Sequence, residues 1–161
     1  EILLQRGLPE YLTYDRAAGI IAASFLFKDR AVVIFDFGTT FTVDFAGADG
    51  KYLGGNVSPG CRTRFKALNR YSKNLPLVNM PGDVPPAGTS IVSSVESGVI
   101  SGMMFEMEGY MRRNPDGIFV FTGGDASYFA KRTVDSVFVV SNLSLMGLAI
   151  ITDGYDKKTL Q

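Results

Sequence analysis

AVVIFDFGTTFTVDFAGADGKYLGGNVSPG, residues 31–60, reads as three strands joined by two tight turns. Ala31-Val32-Val33-Ile34-Phe35 is a short apolar, β-branched run, the signature of a buried strand. Gly38 interrupts it. Phe41 to Phe45 then alternates apolar residues with Thr42 and Asp44, which predicts a second strand with one polar face. Asp49-Gly50 is a hairpin signal. Lys51 to Val57 is the third strand, stopped by Ser58-Pro59-Gly60.

Working outward, Asp15 precedes Ala17, Ala18, Ile20, Ile21, Ala22, Ala23 and Phe25, the pattern of an N-cap and an apolar helix that ends at Lys28-Asp29-Arg30. Downstream, Arg62 to Tyr71 is amphipathic, with Phe65 and Leu68 on one side. Pro76, Pro81, Pro85 and Pro86 make residues 74–88 a loop. Ser90 to Met111 has Val95, Val99, Met103, Met107 and Tyr110 at helical spacing. Gly117 to Phe121 predicts a buried strand, and Asp125 caps a short helix to Arg132. Val137 to Val140 predicts a last strand, and Asn142 caps a helix from Leu143 to Ile151. A polar, frayed tail, Tyr155 to Gln161, follows. Three meandering strands followed by alternating helix and strand imply an α/β domain, a mixed sheet flanked by helices. The order resembles the ribonuclease H-like lobe of the actin, Hsp70 and sugar-kinase superfamily, whose members hold a nucleotide between two such lobes.

Composition narrows the chemistry. The chain has 161 residues with 16 Lys plus Arg, 16 Asp plus Glu and no His. Zero net charge argues against a nucleic-acid partner. Without His there is no Ser-His-Asp triad, Cys-His pair or His-ligated metal. A single Cys allows no intrachain disulfide or zinc cluster and fits a reducing, cytoplasmic compartment. Ala17 to Phe27 is too short an apolar run to span a bilayer, and no signal peptide or membrane association is expected. The chain opens at Glu1 rather than Met, and Ile2-Leu3-Leu4 reads as the middle of a longer sequence.

Each candidate site has a structural and a functional reading. At Asp36-Phe37-Gly38-Thr39-Thr40, a glycine turn lets backbone N–H groups approach an anion. The Thr hydroxyls can donate to phosphate, and Asp36 can hold a cation. The alternative is an ordinary hairpin with a hydrogen-bonded Asp. Thr122-Gly123-Gly124-Asp125 joins a buried strand to a helix, where free N–H groups suit a nucleotide, or where the glycines simply permit tight packing. Asp15-Arg16 can accept a hydroxyl proton and hold an anionic substrate, or can be a helix cap beside a surface Arg. Arg62, Lys66, Arg70 and Lys73 form a solvated face. Cys61 sits at a helix start that favours a thiolate, or is packing filler. Met103, Met104, Met107 and Met111 read as core or subunit contact. Gly98 and Gly102, one turn apart, would admit another helix.

Together these segments resemble type III pantothenate kinase, from about Leu8 to Ile151. The resemblance is carried by Tyr14-Asp15-Arg16-Ala17-Ala18, Asp36 to Thr40 with Thr42-Val43-Asp44, and Tyr52 to Gly60. It continues through Leu75-Pro76-Leu77-Val78, Ser97 to Gly102, Thr122 to Asp125 and Asn142 to Leu148. It implies ATP-dependent phosphorylation of pantothenate, the first step of coenzyme A synthesis, with Mg²⁺ and a monovalent cation (K⁺ or NH₄⁺). By that resemblance Asp15 is the proton acceptor, and Thr13, Tyr14, Asp15 and Arg16 contact pantothenate. Asp36 takes the monovalent cation, Gly38, Thr39 and Thr40 meet the ATP phosphates, and Thr122, Gly123 and Gly124 border the adenosine.

The sequence departs from the family at three places. Thr13 and Tyr14 replace small residues. Ile91 stands where the family has a substrate-contacting Thr. The family's opening Asp-x-Gly-Asn-Thr hairpin is not in this sequence. The resemblance therefore implies a remnant of the N-terminal lobe with a linking helix over 1–30, and a C-terminal ribonuclease H-like lobe over 31–161. Such a piece is expected to fall short of full activity by itself. It also implies a homodimer with the Met-rich helix as seam. Two other readings stay open: another phosphotransferase or ATPase of the superfamily, and a non-catalytic regulatory or interaction relative.

Overall fold

The computed structural model describes the backbone of residues 6–159 and the side chains of residues 6–153; Ile2-Leu3-Leu4 and the side chains of the polar tail lie outside them. The strands are β1 (Val32–Phe37), β2 (Thr40–Ala46), β3 (Tyr52–Pro59), β4 (Ile118–Thr122) and β5 (Phe138–Val139). The helices are α1 (Tyr14–Leu26), α2 (Cys61–Tyr71), α3 (Ile91–Arg113), α4 (Ala126–Ala130) and α5 (Leu143–Thr159). The five strands form one sheet in the order β3-β2-β1-β4-β5. β1 pairs antiparallel with β2 and parallel with β4, and β2 pairs antiparallel with β3. β4 pairs parallel with β5.

Strand alternation sorts the core onto two faces. Val33, Phe35, Phe37, Phe41, Val43 and Phe121 face α2, α3 and α4, where Phe65, Val99, Met103, Met107 and Phe129 cover them. Met103, Met107 and Met111 are core, as the sequence allows. Val32, Ile34, Ala46 and Val120 face α1 and α5, covered by Ala17, Ile20, Ala22, Ala23 and Leu143. Helix α1 is apolar all round because it lies between the sheet and α5. Residues 17–24 are all buried.

Gly147 makes the α1–α5 layer possible. A Cβ there would overlap the Ala18 carbonyl and lie 2.8 Å from the Ala18 Cα.

Several local expectations are corrected. The N-cap of α1 is Thr13, which makes no side-chain cap bond, so Asp15 is the second helical residue rather than the cap. Asp125 stands at the N-cap of α4 but its side chain makes no cap bond; its carboxylate meets Arg62 at 3.2 Å, which removes Arg62 from the free solvated face. α4 ends at Ala130, short of Arg132. β5 covers only Phe138–Val139, and α5 runs through Gly154 to Thr159 rather than ending at Ile151. The start of α3 is as expected: Ser90 and Ser93 close a reciprocal capping box. No helix among the described residues is long and apolar enough to cross a membrane.

Candidate active site

The face of the sheet toward α1 changes character along its length. Toward one end it is apolar, at Val32, Ile34, Ala46 and Val120. Toward the carboxyl ends of the parallel strands β1 and β4 the same face carries Asp36 and Thr122, which pair in register, with Thr42 opposite Asp36 on β2 and Asp44 two residues further along. The N-terminus of α1 sits over this polar end. Arg16 reaches Asp44, and the Ser144 hydroxyl at the start of α5 donates to the Asp15 carbonyl at 3.2 Å. The carboxyl ends of parallel strands are where open α/β sheets take ligands.

Asp36 is half-buried, and no hydrogen bond or ion pair reaches its carboxylate among the described residues. Burial raises its pKa above the usual carboxylate value, and the negative charges of Asp15 and Asp44 raise it further. The first turn of α1, which carries Asp15, is held over this end of the sheet by the Arg16–Asp44 contact. Beside Asp36, the Thr42 hydroxyl is buried without a partner among the described residues.

Gly123 closes the same corner. Its φ is +91°, and a Cβ would overlap the Asp36 carboxylate and lie 2.7 Å from the Phe37 backbone N and O. Only glycine brings the Thr122-Gly123-Gly124 turn this close to Asp36. The Asp125 N–H donates to the Phe37 carbonyl at 3.1 Å and ties that turn to the end of β1.

The Gly38 turn is less open to an anion than its sequence suggests. Its N–H donates to the Thr40 carbonyl at 3.0 Å and so closes the hairpin. The Thr39 carbonyl accepts from the Gly60 N–H at 3.0 Å and the Thr63 hydroxyl at 2.7 Å. What the turn leaves exposed is Thr39 and Thr40.

Arg16 is not a surface residue. Its side chain is 14% exposed and that of Asp44 4%. Its Nε donates to Asp44 Oδ2 at 3.0 Å and its Nη2 to Asp44 Oδ1 at 2.6 Å. Hydrogen bonding to Asp44 holds the Arg16 pKa above its ordinary value. Burial, followed by the charge of Asp44, raises the Tyr52 hydroxyl pKa as well. Thr13, Tyr14 and Asp15 are exposed around this anchor.

The fold thus brings Thr13 to Arg16, Asp36 and Thr122 to Gly124 to one end of one sheet face, with Thr39 and Thr40 at the adjoining turn. It does not bring Ile91 there. Ile91 opens α3 on the other face, in a groove of about 910 Å³ between α2 and α3 that Thr63, Tyr71 and Leu75 also line. Cys61 is buried and its thiol is pushed up to about 12 by that burial, so it is packing filler. Sequence reasoning gave Asp44, Tyr52 and Gly55 no more than places in the motifs that carry the resemblance. The available signal was parity: an Asp two residues from Thr42 on a strand points to the same face and needs a buried partner.

The sheet order β3-β2-β1-β4-β5, flanked by helices, is a ribonuclease H-like fold of the kind found in actin-like ATPases. The fold resembles a Campylobacter jejuni protein described as of the Baf family of transcriptional activators (TM-score 0.71, 22% identity, 92% of this chain and 67% of that one). It also resembles the ADP-bound MreB5 of Spiroplasma citri (TM-score 0.55, 14% identity, 93% of this chain and 61% of that one).

The family model for type III pantothenate kinase matches residues 5–113. The type III pantothenate kinase of Phocaeicola vulgatus is 43% identical over 153 residues, which is 92% of this chain and 63% of that protein. The chain belongs to the type III pantothenate kinase family. It spans about three fifths of the length of the curated relatives it matches.

The charge at Asp36 gives a direct test. A carboxyl whose folded pKa lies above 3.8 stabilises the fold fully only below about that pH. That stability is lost as pH rises through the folded value, so at neutral pH the ionised group is a burden. In K⁺-free buffer at pH 7, Asp36→Asn is expected to raise Tm, because it removes the ionised group from a half-buried site. The gain should vanish toward pH 4. A variant that melts below wild type at pH 7 would contradict the electrostatics.

Proposed function

We propose that the protein transfers the γ-phosphoryl group of ATP to the primary hydroxyl of pantothenate. What supports this reading is that α1, anchored through Arg16 to Asp44, carries Asp15 at the end of the sheet face that holds Asp36, in a chain of this family. Phosphoryl transfer asks the protein for positioning and charge neutralisation more than for covalent chemistry. Asp15, exposed at the first turn of α1, takes the hydroxyl proton. Thr13, Tyr14 and Arg16 bind the rest of pantothenate. Thr39 and Thr40 donate to phosphate oxygens, with the Gly38 turn clamped by α2 behind them. Thr122, Gly123 and Gly124 border the adenosine.

Asp36 fits a monovalent cation, K⁺ or NH₄⁺: among the described residues, a half-buried carboxylate without a cationic partner stands beside the unpartnered Thr42 hydroxyl. Among the described residues no group of three or more acidic or Cys side chains could hold a metal ion. Mg²⁺ accordingly belongs with the nucleotide rather than in a protein cage. The cations, when bound, supply the positive charge that offsets the phosphates.

A second copy of the chain accounts for Ile91. It lies across the sheet from Asp15 in its own chain, so it reaches pantothenate only from a partner. Exposed Ile91, Val92 and Phe105 on α3, with open space beside Gly98 and Gly102, support a homodimer seam there. The expected compartment is the cytoplasm, where ATP is available.

The test is an ADP-release assay on the natural-length protein with ATP, Mg²⁺ and K⁺, with and without pantothenate. Pantothenate-dependent release of ADP is the expected result. ADP release indifferent to pantothenate would point to another phosphotransferase or ATPase of the superfamily. No release, with no thermal shift from either ligand, would point to a non-catalytic relative.

A further inference from the structure

The proposed reaction leaves a buried ion pair unexplained. Asp44 is 2% exposed on a strand whose neighbouring position on that face, Ala46, is apolar. Removing two charges from water costs several kcal/mol per ion unless geometry and further hydrogen bonds offset it, and an apolar pair is often as stable. Here the geometry is a two-pronged fork. Arg16 Nε and Nη2 donate to the two Asp44 oxygens. Tyr52 completes a triangle, donating its hydroxyl to Asp44 Oδ1 at 3.1 Å and accepting from Arg16 Nη2 at 3.3 Å.

The third strand makes room for it. Gly55 pairs in register with Asp44. A Cβ at Gly55 would overlap the Asp44 carboxylate and lie 2.6 Å from Arg16 Nη2 and 2.7 Å from the Val43 carbonyl oxygen. Three elements therefore converge to lock one guanidinium: α1 supplies it, β2 grips it and β3 leaves space for it. The fork occupies the Nε and Nη2 edge of Arg16. Its Nη1 amino group has no partner among the described residues and is the donor left for an anion.

From this geometry we infer that Asp44, with Tyr52 beside it and the open place at Gly55, is the positioning residue that fixes Arg16 and, through the first turn of α1, the neighbouring Asp15 over the sheet. This rests on the proposed phosphorylation of pantothenate. Asp44 touches no reacting atom. It aims one edge of Arg16 outward and sets the placement of Asp15 relative to Asp36. A rigid fork suits that task better than a flexible ammonium.

The test combines kinetics with a signal that does not depend on turnover. In the natural-length protein, Asp44→Asn is expected to lower kcat/KM for pantothenate about tenfold or more, while KM for ATP stays within about twofold. Combined with Arg16→Gln, it should add little to the loss caused by Arg16→Gln alone. Gly55→Ala, which leaves both charges in place, should reproduce the loss and serves as the readout if Asp44→Asn does not fold. Pantothenate kinetics within about twofold of wild type in the folded variant, or losses that multiply fully in the double variant, would overturn the inference while leaving the kinase reading intact.

A wild type inactive on pantothenate would instead defeat the kinase reading. The positioning claim is then read from the Arg16 Nε–H resonance. Protection in wild type and loss in Asp44→Asn and Gly55→Ala would support it. Equal protection in all three would overturn it.

Discussion

Asp15→Asn is expected to cost about 10²–10⁴ in kcat, the usual contribution of a positioned general base. The substitution keeps the shape of the side chain and removes its ability to take a proton. Asp15 is exposed and makes no side-chain hydrogen bond among the described residues, so little of the fold depends on it. Its charge near the helix N-terminus is worth about 0.3–1 kcal/mol, so Tm should fall by no more than a few degrees. Because the proposed ATP contacts lie at Thr39, Thr40 and Thr122 to Gly124, KM for ATP should stay nearly constant. Steady-state kinetics on the natural-length protein, with Tm measured on the same preparation, separate chemistry from folding. A variant that keeps more than about a tenth of wild-type kcat would remove Asp15 from the role of base.

Gly147→Ala is expected to produce the largest loss of stability from a single methyl group. The added Cβ would run into the backbone carbonyl of Ala18, and no side chain can rotate away to relieve it. α1 and α5 would have to move apart, and the layer over Val32, Ile34 and Val120 would loosen with them. Overpacking usually costs about 1–3 kcal/mol, and a backbone collision belongs at the upper end. That corresponds to a fall in Tm of about 6–12 °C. The Ser144–Asp15 bond spans the same two helices, so pantothenate turnover should fall too. Thermal melting in parallel with the kinetic assay checks both. A Tm within about 1 °C of wild type would show that the helices are not held at this contact.

Much of the architecture was legible because strands and helices announce themselves by period. The alternation from Phe41 to Phe45, the turn at Asp49-Gly50 and the spacing of Val95, Val99, Met103 and Met107 place β2, β3 and α3 close to their observed bounds. Less legible were features set by distant groups. The period of α5 continues through Gly154, where a local stop was expected, because the glycine's cost in a helix interior is only about 1 kcal/mol. Asp125 looks like a cap, yet its carboxylate is drawn to Arg62, sixty-three residues away in sequence.

For the site, the sequence by itself determined the chemical inventory. It supplied two carboxylates near glycine turns, no His, and motifs that mark a pantothenate kinase of the third type. Only the tertiary structure decided which of those groups meet. It set Ile91 on the opposite face from Asp15, closed the Gly38 N–H into its own hairpin, and joined Arg16 to Asp44 across twenty-eight residues. The physical reason is range. Periodicity and turn chemistry act over a few neighbouring residues and can be read along the chain. An ion pair, a glycine's clearance or the charge felt by Asp36 depends on which strands lie side by side, and that is settled only when the sheet has formed.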